Sequence, residues 1–174
     1  MGALHASLSF GNPLFSAVIR FPFFQISEQE LRSAMSSVVV DTVGHVVDWT
    51  STVDERQVPV TIGFFVELVG DEGMSLFPFC CASLFISGIA SDSMLTGERV
   101  LDVLSRSNEN ITRAFARGIL GKPTIRIVER GTFSKFRQLK LDEGLQSLGQ
   151  VKVPVVLPKA AYVTWFANQV VKEL

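Results

Sequence analysis

Gln57-Val58-Pro59-Val60-Thr61-Ile62-Gly63-Phe64-Phe65-Val66-Glu67-Leu68-Val69 decides how the rest of the chain is read. Val58, Val60, Ile62, Phe64, Val66 and Leu68 take every even position, and Gln57, Pro59, Thr61, Gly63 and Glu67 take most odd ones. Successive side chains on a strand point to opposite faces, so this spacing predicts a half-buried strand over 57–69. Gly70-Asp71-Glu72-Gly73 follows as a turn, its glycines tolerant of positive φ. The next stretch, 74–87, is apolar on both faces. Together the two predict a long antiparallel hairpin.

Two further strands are expected upstream. One is 14–24, where Phe15, Ala17, Ile19, Phe21 and Phe23 share a side and Pro22 marks an edge. The other is the β-branched run 38–49. Between them Ser27 and Glu30 have capping-box spacing, Ile26 and Leu31 can staple across it, and Leu31, Ala34 and Met35 form the buried side of a short helix. After Thr96 the period changes. Val100, Leu104, Ile111, Phe115 and Ile119 recur at helical spacing, with Ser107-Asn108-Glu109-Asn110 as a kink or second cap and Gly118 and Gly121-Lys122-Pro123 as the stop. Short strands are expected at 124–130, 137–142 and 150–156. A last helix opens at Pro158 and carries Tyr162, Trp165, Phe166 and Val170 on one side.

The chain has 174 residues, 47% hydrophobic and 19% charged, with formal net charge −1. Its mean hydropathy of +0.33 excludes a disordered chain. About 70% of the surface of a chain this long can be buried, enough for one domain. We expect a single domain over 1–174 with a basic extension at about 120–150. Cys80-Cys81 cannot build a disulfide framework, which points to a reducing, cytoplasmic setting. Met1–Ser7 misses a myristoylation motif by one position, and the first basic residue, Arg20, comes too late for a secretory leader. The uncharged stretch 73–91 has the length of a membrane span, but Pro78 and four serines favour buried strands.

Residue types for catalysis do not cluster. His5 and His45 are far apart, and adjacent cysteines on a strand face opposite ways, so no metal site is expected. Gly118-x-x-Gly121-Lys122-Pro123 imitates a phosphate loop, yet Ala116 replaces the first glycine and Pro123 the hydroxyl that would hold a metal. There is no nucleophile elbow. Asn110-Ile111-Thr112 is a glycosylation sequon inside a predicted helix. An enzyme is therefore not expected, and neither is a cofactor.

Charge is distributed unevenly. Residues 1–112 hold 5 Lys+Arg against 13 Asp+Glu, whereas 113–140 hold eight cations against Glu129 alone. Arg113, Arg117, Arg126, Arg130, Lys135, Arg137 and Lys140, interleaved with Phe133 and Phe136, form a candidate polyanion-binding set. The alternative use of these cations is pairing with the acidic first part of the chain.

The order of elements resembles the SecB export-chaperone family. Gln57–Leu68, the Gly70-Asp71-Glu72 turn and Leu84-Phe85 resemble its third strand, its turn and its fourth strand. Val155-Val156-Leu157-Pro158 with Tyr162 and Trp165-Phe166 resembles its late Leu-x-x-Pro segment and terminal helix. The resemblance covers about 14–105 and 150–171. It implies a four-stranded antiparallel sheet flanked by helices, a homo-oligomer, and a groove for clients at Phe77, Phe79 and Cys81.

These readings give an α+β fold, an antiparallel sheet of four or more strands with helices packed on one side. The expected function is that of an ATP-independent chaperone in protein transport, binding extended apolar segments of unfolded polypeptides. Next comes a nucleic-acid-binding or nucleocapsid-type protein using 113–140, and third a β-rich carrier of an apolar small molecule.

Overall fold

Three short strands lead the computed structural model, which describes residues 7–9, 18–21, 24–41, 46–69, 96–144 and 151–174. They are β1 (Ser7–Ser9), β2 (Val18–Phe21) and β3 (Phe24–Ser27), paired antiparallel in that order. The rings of Phe21 and Phe24, paired between β2 and β3, stack at 4.6 Å. The capping box forms as expected. Ser27 N donates to Glu30 Oε2 at 2.7 Å, and Glu30 N donates back to Ser27 Oγ at 3.3 Å.

The helix so started, α1 (Glu28–Asp41), runs on through the β-branched residues expected to begin a strand. Leu31, Ala34, Met35 and Val38 are all buried at i, i+3, i+4 and i+7, and packing of that stripe outweighs weak helix propensity. The strand moves downstream as β4 (Val46–Asp54), followed by β5 (Thr61–Leu68).

Two helices follow, α2 (Gly97–Ser107) and α3 (Glu109–Ala116), with Asn108 closing the first and opening the second. The Asn108 side chain accepts from Asn110 N at 3.1 Å, and its Nδ2 donates to Glu30 Oε1 at 2.8 Å, tying the kink to the α1 capping box. Then come β6 (Thr124–Val128), α4 (Thr132–Asp142), α5 (Ala160–Ala167) and β7 (Val170–Glu173). The strand expected at 137–142 is helix. Phe133 and Phe136, three apart, are both buried and anchor that helix face. The strand expected at 150–156 is an extended segment laid on β4, where Ser51 N donates to Val155 O at 2.7 Å and Leu157 N to Ser51 O at 2.8 Å.

The second sheet runs β4-β5-β6-β7. β4 and β7 pair antiparallel to their neighbours, whereas β5 and β6 are parallel. The α+β class holds, and the sheet is mixed rather than wholly antiparallel. β4 and β6 occupy the two edges of β5 between Gly63 and Glu67, which removes the partner edge of the expected 57–69/74–87 hairpin. Residues 74–87 lie outside the described residues. Within the described part of the segment expected as a basic extension, 120–144, β6 lies inside the sheet and α4 packs over it.

Both faces of this sheet are covered. Ile62, Phe64 and Val66 of β5 and Ile125 and Ile127 of β6 pack with α1, α2, α3 and the first sheet. Phe65 and Val128 face the other way, onto Phe133, Phe136, Leu157, Tyr162 and Phe166 from α4, α5 and the preceding segment. Helices thus lie on two sides, not one, and β5 is buried along nearly its whole length rather than half-buried. Each fully buried phenylalanine contributes about 1.5–3 kcal/mol. Among the described residues, no helix is long and apolar enough to cross a membrane.

Candidate functional site

The α4–α5 side of the sheet carries buried charge that alternation alone does not explain. Arg126 sits in β6 between Ile125 and Ile127, and its side chain is 4% exposed. Its guanidinium lies 4.3 Å from the centre of the Phe65 ring, and Nη2 donates to Asp54 Oδ2 at 3.2 Å. Asp54, at the end of β4, is equally buried and also accepts from Thr124 Oγ1 at 2.7 Å. Arg56 closes on it from the turn, with Nε to Oδ1 at 2.8 Å and Nη2 to Oδ2 at 2.7 Å. Arg56 then reaches Glu173 of β7 with two bonds of 2.9 Å. One network therefore joins β4, β6 and β7 at one end of the sheet.

Burial alone would push the Asp54 carboxyl up, but hydrogen bonds from Arg56 and Thr124 and the charge of Arg126 outweigh it and hold the group at about 2. Those bonds to Asp54 and Glu173 raise Arg56 above its ordinary range, while burial lowers Arg126. Nε of Arg126 is buried without a partner. The arrangement fixes strands and holds charges in place. With Asp54 held well below neutral pH and Arg56 well above it, neither is poised to exchange a proton there, as an efficient general acid or base would be.

A second buried carboxylate, Glu67 of β5, stands at the start of α4. It accepts from Gly131 N at 2.8 Å and from Phe133 N at 2.9 Å. These are orphan donors of a helix N-terminus, and Gly131, at φ 79°, supplies the left-handed entry. The N-terminus of α4 is thus filled by the protein's own anion.

The expected polyanion set is scattered and mostly engaged. Arg126 is in the core, Arg137 pairs with Asp48, Arg113 with Glu109 at 2.6 Å, and Lys135 with Glu129 at 3.7 Å. Lys140 Nζ donates to the Tyr162 hydroxyl at 2.9 Å, and that hydroxyl donates to Glu143 Oε2 at 2.6 Å. Arg117 and Arg130 are exposed. Phe133 and Phe136 are 1% and 0% exposed, so neither offers a ring face to a nucleic-acid base. Asp48, Asp54 and Glu109 belong to the acidic first part of the chain. Phe77, Phe79 and Cys81, expected to line a client groove, lie outside the described residues. Among the described residues no group of His, Cys, Asp and Glu could hold a metal ion.

The sequence holds two signs of the buried network that the period-two reading passed over. Arg126 is a lone cation inside an apolar strand, and Gly63 is a lone glycine inside another. Neither is informative until β5 and β6 are known to be neighbours, with Gly63 opposite Thr124.

One open pocket lies between β3 and α3, with a volume of about 250 Å3, lined by Phe24, Asn110, Arg113, Ala114, Arg117 and Ile119. Phe24, Ala114 and Ile119 make its apolar wall, and the polar side chains come from α3 and its C-cap.

Comparison with known proteins now bears on the whole arrangement. The profile of the GH3 family C-terminal domain matches residues 29–161. Among solved structures, the chain is similar to GH3.15 acyl acid amido synthetase, at TM-score 0.66 and 17% identity over 90% of this chain and 29% of that one. It is also similar to AtGH3.15 acyl acid amido synthetase in complex with 2,4-DB, at TM-score 0.66 and 15% identity over 92% of this chain and 30% of that one. This chain thus spans less than a third of the length of the proteins it matches. No curated protein sequence matches it.

These matches overturn the SecB resemblance, and with it the chaperone and protein-transport readings, and they put a GH3 domain in place of the nucleocapsid-type alternative as well. The resemblance covered about 14–105 and 150–171 and implied a wholly antiparallel sheet, whereas β5 and β6 pair in parallel. The expectation of a non-enzyme is corrected too, by the match to the profile of the GH3 family C-terminal domain. Its basis was the absence of a catalytic cluster in the sequence. With three-quarters of its length under the family profile and the fold of the solved members, this chain belongs to the GH3 family, as its C-terminal domain.

Proposed function

We propose that the chain serves as the C-terminal domain of an enzyme that joins an acyl acid to an amine. The carrying observation is the family match over residues 29–161, supported by likeness of fold across 90% of the chain. The internal chemistry is consistent with a supporting role. The buried Asp54–Arg126 pair and the Glu67 cap are spent on holding strands and helix together, which leaves the reacting groups to the larger remainder of such an enzyme. A cytoplasmic setting, expected from Cys80-Cys81, belongs with this proposal.

The test is amide formation. Condensing a carboxylate with an amine is uphill in water, so a nucleoside triphosphate is supplied with the acid and the amine. Product is followed by mass spectrometry for the purified chain and for the chain isolated with whatever polypeptide accompanies it in its source. Amide formed by either preparation supports the reading. No amide from either across a panel of acids and amino acids, with the chain folded by circular dichroism, overturns it.

A further inference from the structure

Among the described residues, β7 stands at the outer edge of the second sheet with β6 as its one strand neighbour. We infer that β7 is a strap, which opens from β6 while the rest of the fold stays closed. The Arg56–Glu173 ion pair is the salt-sensitive latch that holds it shut.

The strap is lightly built. β4 pairs with β5 from Val46 to Asp54, whereas the β6–β7 register runs only from Arg126 opposite Glu173 to Val128 opposite Val170. A bulge between Ile127 and Val128 interrupts even that short ladder. Val171, Lys172 and Glu173 are exposed, Val171 at 62%. Two partly buried side chains pin the ends. Val170 packs against the α4–α5 cluster, and Leu174 against the cluster on the other face of the sheet. Leu174 N also donates to Ile125 O at 2.8 Å. A segment with so little buried apolar surface opens at a lower free energy than the core beside it.

The latch has a fixed half and a moving half. Arg56 is held on the body of the sheet, where Nε and Nη2 donate to the buried Asp54 at 2.8 and 2.7 Å. Its outer side, Nη1 and Nη2, takes both oxygens of Glu173 at 2.9 Å. Asp54 therefore orients Arg56 in advance, and closing the latch immobilises one long side chain rather than two. The pair stands in solvent, with Arg56 49% and Glu173 38% exposed, so dissolved ions screen it. When the strap opens, Arg56 keeps Asp54, and β6 becomes the edge of the sheet with its backbone groups unpaired on that side. The inference concerns the motion of this chain and stands apart from the proposed amide-forming activity.

Amide hydrogen exchange of the 174-residue chain, resolved by NMR and corrected for intrinsic rates, tests it. Leu174 reports the strap. Phe64, on the strand between β4 and β6, reports global opening. Leu174 should exchange at least about tenfold faster than Phe64, and low urea should accelerate Phe64 but scarcely Leu174, because a local opening exposes little surface. Glu173→Gln should speed exchange at Leu174 about two- to fivefold, the range of an exposed ion pair. Salt at about 0.5 M should act by a similar factor in the parent chain and by much less in Glu173→Gln. Equal protection and equal urea dependence at Leu174 and Phe64 would overturn the strap, since β7 would then open only with the whole fold. An unchanged Leu174 rate in Glu173→Gln, or the same salt response in both chains, would overturn the latch. Exchange is read without any turnover, so failure of the amide assay leaves this result independent.

Discussion

Gly63 is the floor on which Arg126 lies. A Cβ built on Gly63 would run into the Arg126 guanidinium, 3.3 Å from Cζ, and would stand 3.2 Å from the Cβ of Asp54. The glycine, on β5, sits beside the buried pair that joins β4 to β6, and Phe65, two residues along the same face, covers the guanidinium from the side. The missing methyl is what allows a long cation to lie flat between two strands.

Gly63→Ala should therefore destabilise the protein by about 1–3 kcal/mol, the usual cost of overpacking. Denaturant unfolding measures it. In an Arg126→Met background the same substitution should cost much less, because a flexible thioether can give way. Equal cost in both backgrounds would place the clash elsewhere.

Removing one partner of the buried pair should cost more than removing both. Asp54→Asn leaves Arg126 buried without its counter-charge and should lose about 3–5 kcal/mol. The double variant Asp54→Val with Arg126→Met should recover most of that loss, since packed apolar side chains replace a desolvated pair at little net cost. Arg56 would retain Glu173 and solvent, being half exposed. A double variant no more stable than Asp54→Asn would mean that the network acts through geometry rather than charge compensation.

Acid should act through the same carboxyl. Asp54 is held at about 2, below its ordinary 3.8, so in acid the unfolded chain binds a proton that the folded chain does not. The stabilisation, of order 2 kcal/mol, is complete above the ordinary carboxyl range and is lost as pH falls through 4 towards 2. Urea midpoints measured from pH 6 to pH 2 should fall across that window. Asp54→Asn should flatten that part of the curve, and an unchanged slope would assign the acid sensitivity to other carboxylates.

Some local signals in the sequence were legible within a single element, although the strands expected at 38–49 and 137–142 gave way in part or whole to helix. The Ser27–Glu30 capping box, the buried Leu31, Ala34 and Met35, and the break at Asn108 all appear as read. Relations between distant elements were not legible. The even positions of β5 do share a face, but Thr61, Gly63, Phe65 and Glu67 are buried on the other, because α4 and α5 arrive from far downstream in the sequence. The basic segment looked like a surface because cations usually are one. In space, Arg126 and Arg137 return to Asp54 and Asp48, acids far away in sequence. Phe133 and Phe136, interleaved with charge, read as base-stacking residues and prove to be the buried stripe of an amphipathic helix. The pocket residues Arg113 and Arg117 were picked out for charge alone, and their neighbour Phe24 comes from β3, far away in sequence.

Glu67 gives the last prediction. Its two oxygens take the N–H groups of Gly131 and Phe133 at the start of α4, the first partly buried and the second buried away from water. Glu67→Gln keeps one acceptor oxygen and turns an amide group towards the other N–H, so one donor faces another. An unsatisfied buried donor costs about 1–3 kcal/mol, and loss of the anion at the positive end of the helix adds about 0.3–1 kcal/mol. Glu129→Gln is the control, because Glu129 is half exposed and only 3.7 Å from Lys135, and it should change stability by no more than about 0.5 kcal/mol. Hydrogen exchange localises the effect. In Glu67→Gln the amides of Gly131 and Phe133 should exchange faster while those of α2 and α3 keep their protection. Uniformly faster exchange would report global destabilisation and remove the capping role, whereas a local change confirms that β5 supplies the anion on which α4 begins.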